Sequence, residues 1–319
     1  MHNILHKLKL QLITNKILKI NWLIDLLSIL IDWDKLSQPF RFSLNFGKSD
    51  LMNDQQFRQL LNRYEFSWTG YRKVRKGVKK RIHRYMKSIE CHTMEDFLAE
   101  LDKNNEVRDH CERLLTVSIS RFFRDRGLWQ GLKYHILPEF MNVERKKLRF
   151  WSAGCACGEE VYSFKIIWDL LRNTYLHVPD LEVLATDINP IYLDRARSGI
   201  YPPSSLKEVT KEIRSGYFKQ KGGKKLYEVE PSLKIGITWK NHHLLSGPAG
   251  SDFDIIFLRN NVLTYYEDQL KKTAFGNVLA SLSPCGILVL GSHETIPFET
   301  SDLAGVMPYP YVFRKEAKK

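Results

Sequence analysis

Two hydrophobic periods divide this chain. Over residues 51–145 apolar side chains recur at three- and four-residue steps, the spacing of helices that bury one face. Val74, Val78, Ile82, Tyr85 and Ile89 form one stripe, Val107, Cys111 and Leu114 a second, and Leu128, Trp129, Leu132, Ile136 and Leu137 a third. Thr93, with Asp96 three residues later, has the form of a helix start. After residue 145 the stripes give way to short continuous runs. Residues 148–151, 181–187, 253–260 and 287–290 have the length and apolar content of buried strands. Helical spacing returns between them, from Glu159, around Tyr192, Leu193 and Ala196, and over residues 267–282. That alternation predicts an α/β fold with a doubly wound, largely parallel sheet. Gly222-Gly223 between two short alternating runs predicts a hairpin, and residues 311–313 predict a last edge strand.

The stretch LRFWSAGCACGEEVY, residues 148–162, reads as strand, tight turn and helix. Gly154 and Gly158 let the backbone turn sharply and approach a ligand, and the helix that follows offers free N–H groups at its start. The next buried run ends in Asp187. In a doubly wound sheet ligands bind outside the carboxyl ends of the strands, and an acid after the second strand is placed to bind ribose hydroxyls. Two consecutive strand ends therefore point at one nucleoside. Arg259 and Asn260 are the polar carboxyl end of a third buried run. Phe122 and Phe123 fit a core, whereas Arg124 has the fork that suits a ligand carboxylate. Cys155 and Cys157 form a C-x-C pair without the second pair a zinc site needs, and read as small packing residues.

Composition narrows the partners more than the fold. A chain of 319 residues with 43% hydrophobic content can bury one or two cores. Its 5 cysteines are too few and too scattered for a disulfide framework, which points to a reducing, cytoplasmic setting. The formal charge of +13 favours an acidic partner. Much of it sits in residues 72–87, where Arg72, Lys73, Arg75, Lys76, Lys79, Lys80, Arg81, Arg84 and Lys87 surround the first apolar stripe with no intervening acid. Such a run is either a solvated face or a docking surface, and its self-repulsion favours the second. Residues 1–50 form a Leu- and Ile-rich extension with an expected helix over residues 4–33, interrupted by Lys19, Asp25 and Asp32 before it reaches a spanning length. It reads as an amphipathic helix packed on the rest, as a membrane-surface or partner helix, or as a mis-assigned start ahead of Met52.

The assembled blocks TVSISRFFRD, RFWSAGCACGEEVYS, LATDI, ARSGIY, FDIIFLRN followed by Tyr-Tyr, and LVLGSHE resemble the CheR-type S-adenosylmethionine-dependent methyltransferases that esterify glutamates on chemotaxis receptors. The resemblance covers roughly residues 51–314. It implies a helical N-terminal domain over residues 51–145 and a methyltransferase domain with a small β insertion over residues 146–319, beside the extension 1–50. Carried over position by position, it puts Ser118, Ser120 and Arg124 at the amino-acid end of the cofactor. It puts Gly154, Gly158, Glu159 and Glu160 beside the cofactor, and Asp187 on the ribose. His243-Leu244 stand where the family has Asn-Leu near the adenine, and Ser118-Ile119-Ser120 where it has Asn-x-Thr. The family's Arg-Asn, three apolar residues and Tyr becomes Arg259, Asn260, Asn261, Val262, Leu263, Thr264, Tyr265, Tyr266. One residue is inserted, so Tyr265 is the candidate for the tyrosine near the methyl group, with Tyr266 the alternative.

A glutamate carboxylate is ionised at neutral pH, its reference pKa being about 4.3, and needs no strong base to attack a sulfonium methyl. The site has only to align the reactants, for which Arg124, Arg259, Asn260 and Tyr265 are suitable, without a metal. The expected partner is an acidic helical segment of a receptor-like protein, met by residues 72–87 of a monomer. The rival readings are an RNA or small-molecule methyltransferase, with the basic helix on phosphates, and a non-catalytic module that binds S-adenosylmethionine as a sensor.

Overall fold

The computed structural model describes residues 52–317 apart from 119, 142–144 and 223–224. The extension over residues 1–50 and Gly223 of the Gly-Gly pair lie outside the described residues. In chain order the strands are β1 (Lys147–Ala153), β2 (Asp180–Asp187), β3 (Ile200–Tyr201), β4 (Phe218–Lys221), β5 (Leu226–Val229), β6 (Ile237–Asn241), β7 (Phe253–Leu258), β8 (Leu282–Leu290), β9 (Leu303–Val306) and β10 (Tyr309–Lys315). The helices are α1 (Asp54–Arg63), α2 (Arg75–Ser88), α3 (Met94–Lys103), α4 (Asn105–Leu115), α5 (Arg126–Gly131), α6 (Glu159–Arg172), α7 (Pro190–Ser198), α8 (Lys211–Tyr217), α9 (Pro231–Lys234), α10 (Val262–Tyr265) and α11 (Asp268–Ser281).

Seven strands form the main sheet in the order β6-β2-β1-β7-β8-β10-β9. The first five run parallel, β10 is antiparallel to β8, and β9 is antiparallel to β10. The chain winds from β1 outward through β2 to β6, then returns to the other side of β1 for β7 and β8. The order reverses at β1, so a crevice opens beyond the carboxyl ends of β1 and β7, where sheets of this type hold their ligands. A second sheet, β3-β5-β4, is antiparallel and carries the expected hairpin strands.

Each face of the main sheet is covered. On one side α1–α4 bury Phe57, Ile82, Phe97 and Cys111 in a cluster that also holds Trp151, Ile256 and, from α11, Phe275. On the other, Phe122, Phe123 and Trp129 join Phe150, Phe164 and Phe257. There the Phe150 and Phe164 rings stack with centroids 3.9 Å apart.

Three details differ from the sequence reading. The stripe that α2 buries is Val78, Ile82 and Met86; Tyr85 and Ile89 are half-buried, and Val74 precedes the helix. Strand β6 was not anticipated, because Ile237, Thr238, Trp239, Lys240 and Asn241 lie on a sheet edge and none is fully buried. Residues 311–313 belong to β10, which is not an edge, since β9 pairs along its outer side. The Thr93 cap is present, its Oγ1 accepting the Asp96 N–H at 3.0 Å.

Candidate active site

The cleft beyond β1 and β7 encloses roughly 1070 Å³ of empty space, part of it open to solvent. Its floor is the turn after β1. Gly154 adopts φ +79°, and the N–H groups of Gly154 and Cys155 both donate to the Thr186 carbonyl at 2.8 Å, which ties the turn to the end of β2. Ala156 donates its N–H to Asp187 Oδ2 at 2.9 Å, and Asn189 donates its N–H to Oδ1 at 2.8 Å. Asp187 is therefore a buried carboxylate fixed by two backbone donors, with its edge in the cleft lining. Burial pushes its pKa up to about 6, against the lowering effect of those N–H groups. Cys155 lines the cleft beside it, and burial holds its thiol well above the ordinary range.

A buried ion bridge closes the side wall. Arg259, its side chain 3% exposed, donates from Nη1 to Glu160 Oε2 at 2.8 Å and from Nη2 to Asp125 Oδ2 at 2.6 Å. Glu160 Oε1 accepts the Ser152 hydroxyl at 2.9 Å. Planar two-pronged donation of this kind is what guanidinium geometry favours, and it commits Arg259 to shaping the wall. Arg124 lies over the same wall. Its Nη2 donates to Asn260 Oδ1 at 3.2 Å, and its carbonyl accepts the Trp129 indole N–H at 2.8 Å.

Another side is aromatic. Tyr265 lies with its ring 5.0 Å from that of Tyr71, while Tyr266 stacks on Phe66 at 5.0 Å. The charges acting on the two tyrosines differ: Arg124 and Glu294 for Tyr265, Glu112 and Asp187 for Tyr266. Burial raises the pKa of both hydroxyls, so both stay protonated donors.

Of the residues singled out from the sequence, Ser120, Arg124, Gly154, Glu160, Asp187, Leu244, Arg259, Asn260 and Tyr265 line one cleft. Ser118, Gly158, Glu159 and His243 are not in its lining. Gly158 starts α6 at φ +86°, and a Cβ there would stand 2.8 Å from that of Ala196, so its role is the close approach of α6 to α7. Glu159 turns into the core, where Oε1 accepts the Ser205 hydroxyl at 3.1 Å. His243 sits one layer behind the lining. Its Nδ1 accepts the Leu245 N–H at 3.1 Å, which leaves Nε2 to donate to Glu112 Oε1 at 3.0 Å. His242 takes the place in the lining, kept neutral mainly by burial.

Glu294 is not among the residues singled out from the sequence, and it ties together the segments that follow β7 and β8. Its Oε2 accepts the N–H groups of Asn260 at 2.7 Å and Gly291 at 2.8 Å, and Oε1 accepts the Thr264 hydroxyl at 2.6 Å. Those bonds hold Asn260 at φ +55°. The only signal in the sequence was its place in the LVLGSHE block.

Comparison with known proteins agrees with this geometry. Residues 118–313 match the family described as CheR methyltransferase, SAM binding domain. A chemotaxis protein methyltransferase of Listeria monocytogenes is 32% identical over 219 residues, which cover 69% of this chain and 81% of that protein. Chemotaxis protein methyltransferase 1 of Vibrio cholerae is 28% identical over 243 residues, covering 75% and 87%. A chemotaxis protein methyltransferase of Borreliella burgdorferi is 28% identical over 223 residues, covering 68% and 77%.

Proposed function

Because the chain belongs to the CheR methyltransferase family, we propose that it transfers a methyl group from S-adenosylmethionine to glutamate carboxylates of a chemoreceptor-like protein. The residues present fit that cofactor. A buried carboxylate with its edge in the cleft, Asp187, can accept from ribose hydroxyls. Leu244 and Ile188 offer an apolar flank to a purine, and Glu112, Glu160 and Asp187 give the lining an acidic share that suits a sulfonium with an ammonium group. When bound, S-adenosylmethionine supplies an electrophilic methyl group.

The chain's own residues do the rest. Arg124 attracts an incoming carboxylate, and Tyr265, kept protonated by burial, donates to it without taking its charge. Neither group is a base, and none is required for an ionised nucleophile; the contribution is alignment and exclusion of water by the Phe66, Tyr71, Tyr265 and Tyr266 wall. The observation that carries this reading is the convergence of the Gly154 turn, Asp187, Arg124 and Tyr265 on one cleft.

The helical region over residues 51–145 is then the part that meets the protein substrate, and residues 146–319 the methyltransferase domain of a monomer. Helix α2 and the turn before it expose Arg72, Lys73, Lys76, Lys80, Arg84 and Lys87. Three further bases of the run are less exposed, each with a defined contact. Arg75 lies 3.5 Å over the Trp68 ring, Lys79 pairs with Asp54 at 2.8 Å, and Arg81 donates to the Leu114 and Thr116 carbonyls. The exposed stripe suits an acidic helix. Among the described residues no helix is long and apolar enough to cross a membrane.

The test is incubation with radiolabelled S-adenosylmethionine and receptor-bearing membranes, followed by base treatment. Volatile, base-labile label marks a carboxyl ester and supports the reading. Label in RNA, or cofactor binding without transfer to any acceptor, overturns it.

A further inference from the structure

The residue by which this chain departs from the Arg-Asn-apolar-Tyr pattern is Asn261, and its side chain joins the two halves of the cleft. Its Nδ2 donates to the carbonyl of Ala153, the last residue of β1, at 2.6 Å. Its Oδ1 accepts the Val262 N–H at 2.6 Å and so caps α10. Its backbone carbonyl accepts the N–H groups of Thr264 and Tyr265, both at 2.9 Å. One residue therefore holds the strand end that leads into the Gly154 turn and the amide of the tyrosine on the substrate side. Gly154 answers to it sterically as well, since a Cβ there would lie 2.3 Å from Asn261 Nδ2.

We infer that Asn261 is a positioning residue that sets the separation between the Gly154 turn and Tyr265, and with it the alignment of methyl donor and acceptor. The inference rests on the methyltransferase reading above. The carboxamide is used at both ends: the donor reaches β1 and the acceptor caps α10. A carboxylate of the same shape keeps the cap, and is favoured at a helix start, but turns an oxygen toward the Ala153 carbonyl. The substitution Asn261→Asp thus separates the tether from the cap. A serine also caps but is too short to reach β1.

The experiment compares wild type, Asn261→Asp, Asn261→Ser, Tyr265→Phe and the double variant Asn261→Asp/Tyr265→Phe. Calorimetry with S-adenosylhomocysteine gives cofactor-site affinity, thermal unfolding gives Tm, and transfer to receptor-bearing membranes gives kcat and KM. The expected result for Asn261→Asp is a cooperatively folded protein with Tm a few degrees below wild type, a loss of affinity of about tenfold from the broken tether, and a fall in kcat with KM for the protein substrate unchanged. The kcat losses of Asn261→Asp and Tyr265→Phe should not multiply in the double variant, because one acts through the other. Wild-type affinity and kcat in Asn261→Asp, or multiplicative losses in the double variant, overturn the inference. Should Asn261→Asp unfold, Asn261→Ser decides by the same criteria. A wild type that neither binds S-adenosylhomocysteine nor transfers methyl groups fails the methyltransferase reading itself, a distinct outcome.

Discussion

Replacing Asp187 by Asn should remove a pH dependence that the wild type displays in two ways. Burial lifts this carboxyl from its ordinary 3.8 to about 6 in the folded chain, which corresponds to about 3 kcal/mol of differential interaction. The folded pKa lies above the unfolded one, so that stability is fully present below about pH 4 and is lost as the pH rises through 6. If Asp187 accepts from ribose hydroxyls as proposed, the ionised form is the one that binds. Affinity should be flat above about pH 6.5 and fall about tenfold per pH unit below 6, where binding must displace a proton. The variant has neither titration. Its affinity at pH 8 should be lower by about 1.5–3 kcal/mol, the usual loss of a hydrogen bond to a charged group. Its stability at pH 8 should change little. Relief of about 3 kcal/mol is offset because both oxygens now accept backbone N–H groups, and an amide must strand one of them at about 1–3 kcal/mol. Calorimetry with S-adenosylhomocysteine from pH 5 to 8, paired with urea unfolding of both proteins, measures each slope. The same pH slope in wild type and variant, in either measurement, refutes the reasoning.

Three further outcomes are expected. Reversing Lys73, Lys76 and Lys80 to Glu, all exposed and outside the contacts of Arg75, Lys79 and Arg81, should raise KM for the membrane substrate and weaken the salt dependence of transfer while leaving calorimetric cofactor affinity unchanged; an unchanged KM removes α2 from the docking surface. Glu294→Gln can satisfy the same three partners, since the Thr264 hydroxyl is able to turn and accept, and should keep Tm within a few degrees, whereas Glu294→Ala strands the Asn260 and Gly291 N–H groups at about 2–6 kcal/mol; equal melting temperatures for the two variants contradict the assignment. Tyr265→Phe should lower kcat about tenfold or more, and Tyr266→Phe should act instead on cofactor affinity, because its charged neighbours are Glu112 and Asp187; the opposite split in steady-state kinetics exchanges their roles.

What could be read in the sequence followed from how completely each element is buried. Strands β1, β2 and β7 are rich in apolar residues, buried mostly toward their carboxyl ends, because both faces of a central parallel strand are covered, and each leads to a residue of the cleft lining: Gly154, Asp187 and Arg259. Strand β6 escaped notice for the opposite reason, being a half-exposed edge. A place in the cleft lining was legible where a side chain faces the cleft directly, as for Asp187 and Arg124. It was not legible where a residue acts through others. Nothing in the sequence separates Glu160, which lines the cleft, from Glu159, which turns into the core; the helical rotation of one residue decides it. Likewise nothing in the sequence separates His242, whose ring meets the Gly247 carbonyl, from His243, whose ring meets the Leu245 N–H and Glu112. Glu294 lies 34 residues beyond the Asn260 N–H it holds, a distance over which spacing carries no information.

The ion bridge of Arg259 with Glu160 and Asp125 has a consequence for how this chain can change over generations. The three residues belong to three separate segments, β7's end, the first turn of α6 and the residue before α5. Losing one partner of a buried pair costs about 3–5 kcal/mol, a large part of the roughly 5–15 kcal/mol that keeps a domain folded. A lineage that drifts at Arg259 alone therefore crosses a deep fitness valley, and so does one that drifts at Glu160. Only coordinated replacement of acid and base by apolar residues escapes it, and that requires several substitutions to arrive together.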